Sequence, residues 1–267
     1  MDDRVIILGA RGSVPVSGRR FARYGGATAC VAVRMAGTLI VLDAGTGLLG
    51  LSDALLSGEN NAAVLLTHPH IDHILGLTMC PQIFNPNFRF DIYSARFGGL
   101  DAREQLGALL NPPLWPVGPE EFPAETVFHE LPKRMELGCV TVDAMPGEHP
   151  DGVMLLRLTA GGKKVAYCTD CRLSDRILPD VREFARDCDL LLCDGQYSDE
   201  EWPYRSEFGH NTWRQAARFG AECGAAETLV FHHDPFRSDS ELDAAAEQLS
   251  ALHPRCRFAR EGEVIAL

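Results

Sequence analysis

The stretch Thr67-His68-Pro69-His70-Ile71-Asp72-His73 sets four metal-ligand side chains into six residues. It follows the apolar run Ala62-Ala63-Val64-Leu65-Leu66, which reads as a strand delivering a loop at its end. His68 and His70 are two apart, so in extended chain they point to one side. Pro69 biases His68 toward that extended form. Asp72 and His73 then fall on the following turn and face a different point in space. Such an arrangement suits two adjacent metal ions rather than one. Burying three imidazoles and a carboxylate this close together without a cation would leave costly unpaired groups, and dense His/Asp strings carry a metal-binding mechanism.

Further ligands are expected at other strand ends. His149 follows an apolar run at 139–144, within Met145-Pro146-Gly147-Glu148-His149-Pro150. Asp170 follows Val165-Ala166-Tyr167-Cys168, and His232 and His233 follow Leu229-Val230-Phe231. A carboxylate such as Asp170 can bridge two metals, because each oxygen binds one. Cys168 and Cys171 have C-x-x-C spacing, but no second such pair completes a zinc ribbon, and Asp170 between them has a better use as a ligand.

Side chains this far apart in sequence converge only on a scaffold that brings strand ends together. Residues 5–8, 29–35, 38–42 and 64–66 read as strands, with Ala36-Gly37 as a two-residue hairpin turn. The segment 74–84 begins helically and stops before Pro86, and 101–110 reads as a helix ended by Pro112-Pro113. Residues 111–123 hold five prolines together with Trp115 and Phe122, and are expected to form an ordered surface loop near the site mouth. A second batch of strands follows at 139–144, 153–158, 163–168 and 190–193, with Ala160-Gly161-Gly162 as a hairpin turn. Helices are expected at 174–186, 212–223 and 239–252, the last capped by Ser238, Asp239 or Ser240. Residues 229–231 and 257–265 complete the strands. Two batches of strands, each followed by helices, predict two packed sheets with helices outside, an α+β four-layer αββα sandwich. Neither an internal repeat nor a low-complexity tract is visible.

At 267 residues and 46% hydrophobic content the chain is long enough for one large core, so 1–267 is expected to form a single domain. Its formal net charge is -12, from 37 acidic and 25 basic residues. So acidic a surface repels phosphate backbones, which argues against long nucleic acids as partners. The basic pairs Arg19-Arg20 and Lys163-Lys164 read as solvated turns. Nine scattered cysteines form no disulfide framework, and Met1-Asp2-Asp3-Arg4 opens no signal-peptide pattern. No apolar run is long enough to span a membrane. A reduced, cytoplasmic protein is expected.

The T-H-x-H-x-D-H string resembles that of the metallo-β-lactamase superfamily of dinuclear metallohydrolases, and the likeness extends over nearly the whole chain. Asp43-Ala44-Gly45-Thr46-Gly47 resembles the family's strand-end D-x-G, whose aspartate orients a histidine ligand. The resemblance implies one metal on His68, His70 and His149, and another on Asp72, His73 and a late histidine, with Asp170 bridging. Of the late pair it favours His232, which comes directly off its strand three residues before Pro235. It implies two divalent cations, zinc first, with manganese or iron as alternatives.

Within the family, Asp194-Gly195-Gln196-Tyr197, Gly209-His210-Asn211-Thr212 and His232-His233-Asp234-Pro235 resemble the phosphodiesterase branch that includes tRNA 3′-processing nucleases and cyclic-nucleotide phosphodiesterases. That resemblance gives His210 the role of general acid, oriented by Asp194, with Asp72 among the catalytic residues. It implies hydrolysis of a phosphodiester through a metal-bridging hydroxide. The chain departs from the pattern at Ala27, where relatives usually carry Asn. It also lacks the Lys-rich arm with which tRNA nucleases grip tRNA, which points to a small, cyclic phosphodiester. Trp115, Phe122, Trp202, Tyr204 and Phe208 are candidates to wall a pocket. Relatives are often homodimers. The alternatives are hydrolysis of carboxylic esters, lactones or thioesters by the same hydroxide, and a non-catalytic metal-stabilised binding module.

Overall fold

Strands buried on both faces read as continuous apolar runs, and the second and third strands of this chain are buried along nearly their whole length for that reason. The computed structural model describes residues 3–267, so Met1 and Asp2 of the opening tetrapeptide lie outside the described residues. Six strands come first: β1 (Arg4–Gly9), β2 (Cys30–Met35), β3 (Thr38–Leu42), β4 (Asn61–Leu65), β5 (Arg89–Ser94) and β6 (Glu125–Glu130). A second run comprises β7 (Arg134–Leu137), β8 (Val140–Gly147), β9 (Val153–Ala160), β10 (Lys163–Cys168), β11 (Leu190–Asp194), β12 (Glu227–Phe231), β13 (Cys256–Phe258) and β14 (Val264–Ala266). They form two seven-stranded sheets, ordered β14-β1-β2-β3-β4-β5-β6 and β13-β12-β11-β10-β9-β8-β7.

The helices are α1 (Asp53–Leu56), α2 (Ile71–Ile74), α3 (Ala102–Leu109), α4 (Leu178–Ala185), α5 (Trp202–Arg205), α6 (Trp213–Cys223) and α7 (Asp239–Leu252), of which α3, α4, α6 and α7 cover the outer faces. Three apolar layers match this order. Val31, Ile40, Leu65, Leu156, Leu192 and Phe231 fill the space between the sheets. Leu191, Val230, Phe219 and Leu249 join the second sheet to its helices, and Val64, Ile92, Leu77 and Leu106 cover the first. This is the expected α+β αββα sandwich, two mixed sheets flanked by helices. Among the described residues, no helix is long and apolar enough to cross a membrane.

Strand direction places the site. β3, β4, β5 and β6 run parallel, as do β10, β11 and β12. β8 lies two antiparallel steps from β10 and therefore points the same way. Carboxyl ends of parallel strands are where α/β sheets gather ligands.

Several sequence expectations need correction. The expected strand 257–265 is two strands, β13 and β14, which join different sheets. The helix expected at 174–186 begins at Leu178, whose neighbour Pro179 suits a first turn. The segment 74–84 breaks into the single turn α2 and short 3-10 turns at Leu75–Thr78 and Pro81–Phe84. β5, β6 and β7 lie outside the expected strands. Trp115 and Phe122 are half-buried against the outer cluster of the first sheet, which accounts for them as anchors of the proline-rich segment. The capping of α7 falls to Ser238, reciprocally with Glu241.

Candidate metal centre

β3, β4, β8, β10, β11 and β12 each deliver a polar residue to one end of the sandwich. β4 ends two residues before Thr67, and the chain leaves it extended through His70 (φ -61°, ψ 150°) before α2 turns Asp72 and His73 inward. Asp43, Asp170 and His232 stand just past their strands with φ of 58°, 50° and 62°. Left-handed backbone at non-glycine residues costs of order 1–3 kcal/mol each and clusters where surrounding structure dictates it.

The structure brings His68, His70 and His149 together, and Asp72, His73, Asp170 and His232 beside them, with the ligand atoms of each set within 4.8 Å of one another. His68 Nε2 lies 3.0 Å from His70 Nδ1, which lies 3.2 Å from His149 Nε2. His73 Nε2 and His232 Nε2 lie 3.3 and 3.2 Å from Asp170 Oδ2, and His232 Nε2 lies 3.0 Å from Asp72 Oδ2. His233 turns away: its Nε2 donates to the Ala259 carbonyl at 2.8 Å and its ring packs on Tyr24 and Phe258. The late residue in the cluster is therefore His232.

The far nitrogens decide which lone pairs face inward. His73 Nδ1–H donates to Asp43 Oδ2 at 2.8 Å. His68 Nδ1–H donates to Thr67 Oγ1 at 3.0 Å, and that hydroxyl donates on to Asp43. His149 Nδ1–H donates to the Gly209 carbonyl at 3.3 Å. The bare Nε2 atoms of His68 and His149 thus converge on His70 Nδ1, and His73 Nε2 is buried without a hydrogen-bond partner. Converging lone pairs are unfavourable until a cation sits among them, so the donor sets fit divalent metals.

Charge agrees. Burial pushes His68 well below its ordinary value, and His73 adds to that. Burial likewise holds His149 at about 4, so it is a neutral donor near pH 7. Burial would lower His73 and His232 too, but Asp170 and Asp72 outweigh it and raise both. Burial would raise Asp72 and Asp170, but His73 and His232 outweigh it and hold both carboxylates well below the usual range.

His210 stands beside this cluster, stacked on His232 with centroids 4.9 Å apart. Its Nδ1–H donates to Asp194 Oδ2 at 2.8 Å, while Asn211 N–H donates to Asp194 Oδ1 at 2.7 Å. Asp170, Asp194, His210 and His232 also lie close enough to suggest a further donor set. Asp170 faces Nε2 of His232, however, and Asp194 faces its Nδ1 at 3.6 Å. One cation cannot use both sides of one imidazole, so Asp194 is an acceptor for His210 and the Asn211 N–H rather than a ligand.

Sequence reading gave no role to Thr67, which relays His68 to Asp43, or to Ser13, whose N–H donates to Asp72 Oδ2 at 2.6 Å. Thr67 belongs to the motif and was open to that reading; a backbone donor such as Ser13 leaves no trace in residue type. Trp202 donates from Nε1 to the His210 carbonyl, whereas Tyr204 and Phe208 are exposed. Cys168 and Cys171 are buried free thiols, and burial raises both.

Residues 38–233 match the family described as the beta-lactamase superfamily domain. A ribonuclease Z of Thermoplasma acidophilum is 24% identical over 90% of this chain and 89% of its own. The crystal structure of the metallo-beta-lactamase fold protein YhfI from Bacillus subtilis superposes with a TM-score of 0.72 at 22% identity, covering 99% of each chain. A diphosphatase of the PhnP family superposes with a TM-score of 0.71 at 19% identity, over 99% of this chain and 98% of that one.

Proposed function

The chain belongs to the beta-lactamase superfamily and is a metal-dependent hydrolase, and from that premise we propose that it cleaves a small phosphodiester, cyclic esters included, at a two-cation centre. The observation that carries this reading is the buried His210–Asp194 pair stacked against the second donor set. An alkoxide leaving from phosphorus needs a proton, and a positioned imidazole supplies one. Hydrolysis of a thioester makes no comparable demand, because a thiolate leaves without a proton.

His68, His70 and His149 would hold one cation, Asp72, His73 and His232 the other, with Asp170 shared between them. Two such ions, zinc first and manganese or iron as alternatives, would supply hydroxide near neutral pH and offset the charge that develops at phosphorus. Asp43 fixes the tautomers of His68 and His73, which keeps their ligating nitrogens bare. Asp194 holds His210 at Nδ1 and balances the imidazolium charge. His210 Nε2 is left to carry a proton to the leaving oxygen.

Ribonuclease Z relatives favour an RNA substrate, but the net charge of -12 and the absence of a Lys-rich arm favour a small one. The free cysteines suit a reduced, cytoplasmic setting, and we take residues 1–267 as one catalytic domain. The test is release of p-nitrophenol from bis-p-nitrophenyl phosphate, and of nucleotide from cyclic nucleotides, by metal-loaded protein. Release no greater than that of an Asp72→Ala control sinks the reading. Turnover of lactones alone would move the chain to the ester branch, and tight nucleotide binding without turnover would make it a binding module.

A further inference from the structure

The candidate ligands come from two sheets. His68, His70, Asp72 and His73 follow β4 of the first, whereas His149, Asp170 and His232 follow β8, β10 and β12 of the second. Metal–ligand distances tolerate only about 0.2 Å of error, so the sheets must be held in register at this point. Tyr167 lies on β10, three residues before Asp170, and is fully buried between the sheets. Its hydroxyl donates to Asp43 Oδ2 at 3.0 Å. The same carboxylate accepts from Thr67 N at 2.7 Å, from the Thr67 hydroxyl, and from His73 Nδ1 at 2.8 Å. The Tyr167 ring packs edge-on against Phe231, the residue before His232, with centroids 5.6 Å apart.

We propose that Tyr167 is a positioning residue for the metal centre: its hydroxyl ties the second sheet to the carboxylate that orients His73 and, through Thr67, His68. The proposal rests on the two-cation reading above. Phenylalanine would fill the same space and keep the contact with Phe231. It would remove one of four donors from a buried carboxylate, the one that comes from the second sheet, and so loosen the register in which Asp43 holds His73 against the ligands of that sheet. Outer partners of metal ligands change affinity by about 10–100-fold when removed.

The experiment compares cobalt(II) binding by the natural protein, Tyr167→Phe and Val165→Ala. Val165 lies on the same strand, buried in the same layer, but makes no bond to Asp43. Two measurements are made on each: the chelator concentration that strips the second cobalt, and the cobalt d–d absorption spectrum. Thermal unfolding of the metal-free proteins calibrates general damage. The expected result is that Tyr167→Phe loses its second cobalt at about 10–100-fold lower chelator strength with a shifted spectrum. Val165→Ala is expected to lose thermal stability while binding cobalt as the natural protein does. Equal chelator midpoints and identical spectra for Tyr167→Phe and the natural protein would overturn the proposal. So would a matching loss of affinity in Val165→Ala, or a Tyr167→Phe chain too unstable to take up metal, since the hydroxyl would then serve the fold alone. A natural protein that binds no cobalt would instead remove the two-cation reading itself.

Discussion

Metal uptake by His73 and His232 is coupled to proton release, because a cation must compete with a proton for their inward nitrogens. Asp170 and Asp72 raise both imidazoles against the opposing effect of burial, whereas His68 and His149 are pushed down and are neutral already. Titration calorimetry in buffers of different ionisation enthalpy is expected to show proton release with the second cation and little with the first. The release should shrink as pH rises through the raised histidine values; release that grows with pH would refute the assignment. Stability of the metal-free protein follows the same signs. The stability from His73 and His232 is complete below the ordinary 6.5 and is lost as pH rises through their raised values. That from Asp72 and Asp170 is present above the ordinary 3.8 and lost as pH falls through their depressed ones. His68 and His149, pushed down instead, oppose folding as pH falls below 6.5, so metal-free protein should melt highest near the ordinary histidine value of 6.5 and lower on either side. His210 is tested separately: His210→Ala is expected to keep both cations, to lose about 10²–10⁴ in kcat on cyclic nucleotides, and to lose much less on bis-p-nitrophenyl phosphate, whose leaving group needs no proton. Loss of metal in that variant would make His210 a ligand and end its role as acid.

Loops, not strands, bring the ligands to final position, and glycines set how closely two loops approach. Gly209 has φ +86°, and a Cβ there would lie 2.3 Å from His149 Nδ1 and 2.5 Å from Pro150. Gly209→Ala is expected to destabilise the fold by about 1–3 kcal/mol through strain and to release the cation on His68, His70 and His149. Gly37→Ala is the control, because φ is +80° but nothing lies within 4 Å of its Cβ. Equal metal content in the two variants would show that Gly209 shapes only the backbone. Strand ends were legible because β4, β10 and β12 are apolar runs that stop at His or Asp, which is how His68, Asp170 and His232 were found. β5 alternates Arg89, Asp91 and Tyr93 with buried Phe90 and Ile92, which is a period-two signal in the sequence itself. β6 and β7 are half-exposed strands at the sheet margins with polar faces, so their pattern is weak. What no single sequence carries is pairing. Residues 257–265 read as one strand, and packing against β12 and β1 divides the segment between sheets.

Across the whole molecule the question is which phosphodiester could approach the centre. A cation pair attracts any phosphate, so discrimination must come from the rest of the protein, and the chain as a whole carries a net charge of -12. Each phosphate neutralised by Lys or Arg releases counterions and steepens the salt dependence of binding. A protein that grips tRNA through such contacts loses affinity by orders of magnitude as salt rises, whereas one that holds a small ester through its metals does not. For this chain, kcat/KM on a cyclic nucleotide is expected to change less than about threefold between 50 and 200 mM salt, against the 10³–10⁵ that six to ten phosphate contacts would cost. A tRNA precursor with a 3′ trailer is expected to show no shift in gel mobility at physiological salt and no cleavage. Accurate removal of that trailer, with a steep salt dependence, would place the chain with its ribonuclease Z relatives and overturn the small-substrate reading. The two-cation assignment would survive that result, since both substrates need the same in-line attack, and only the account of how an acidic surface selects its ester would have to be rebuilt.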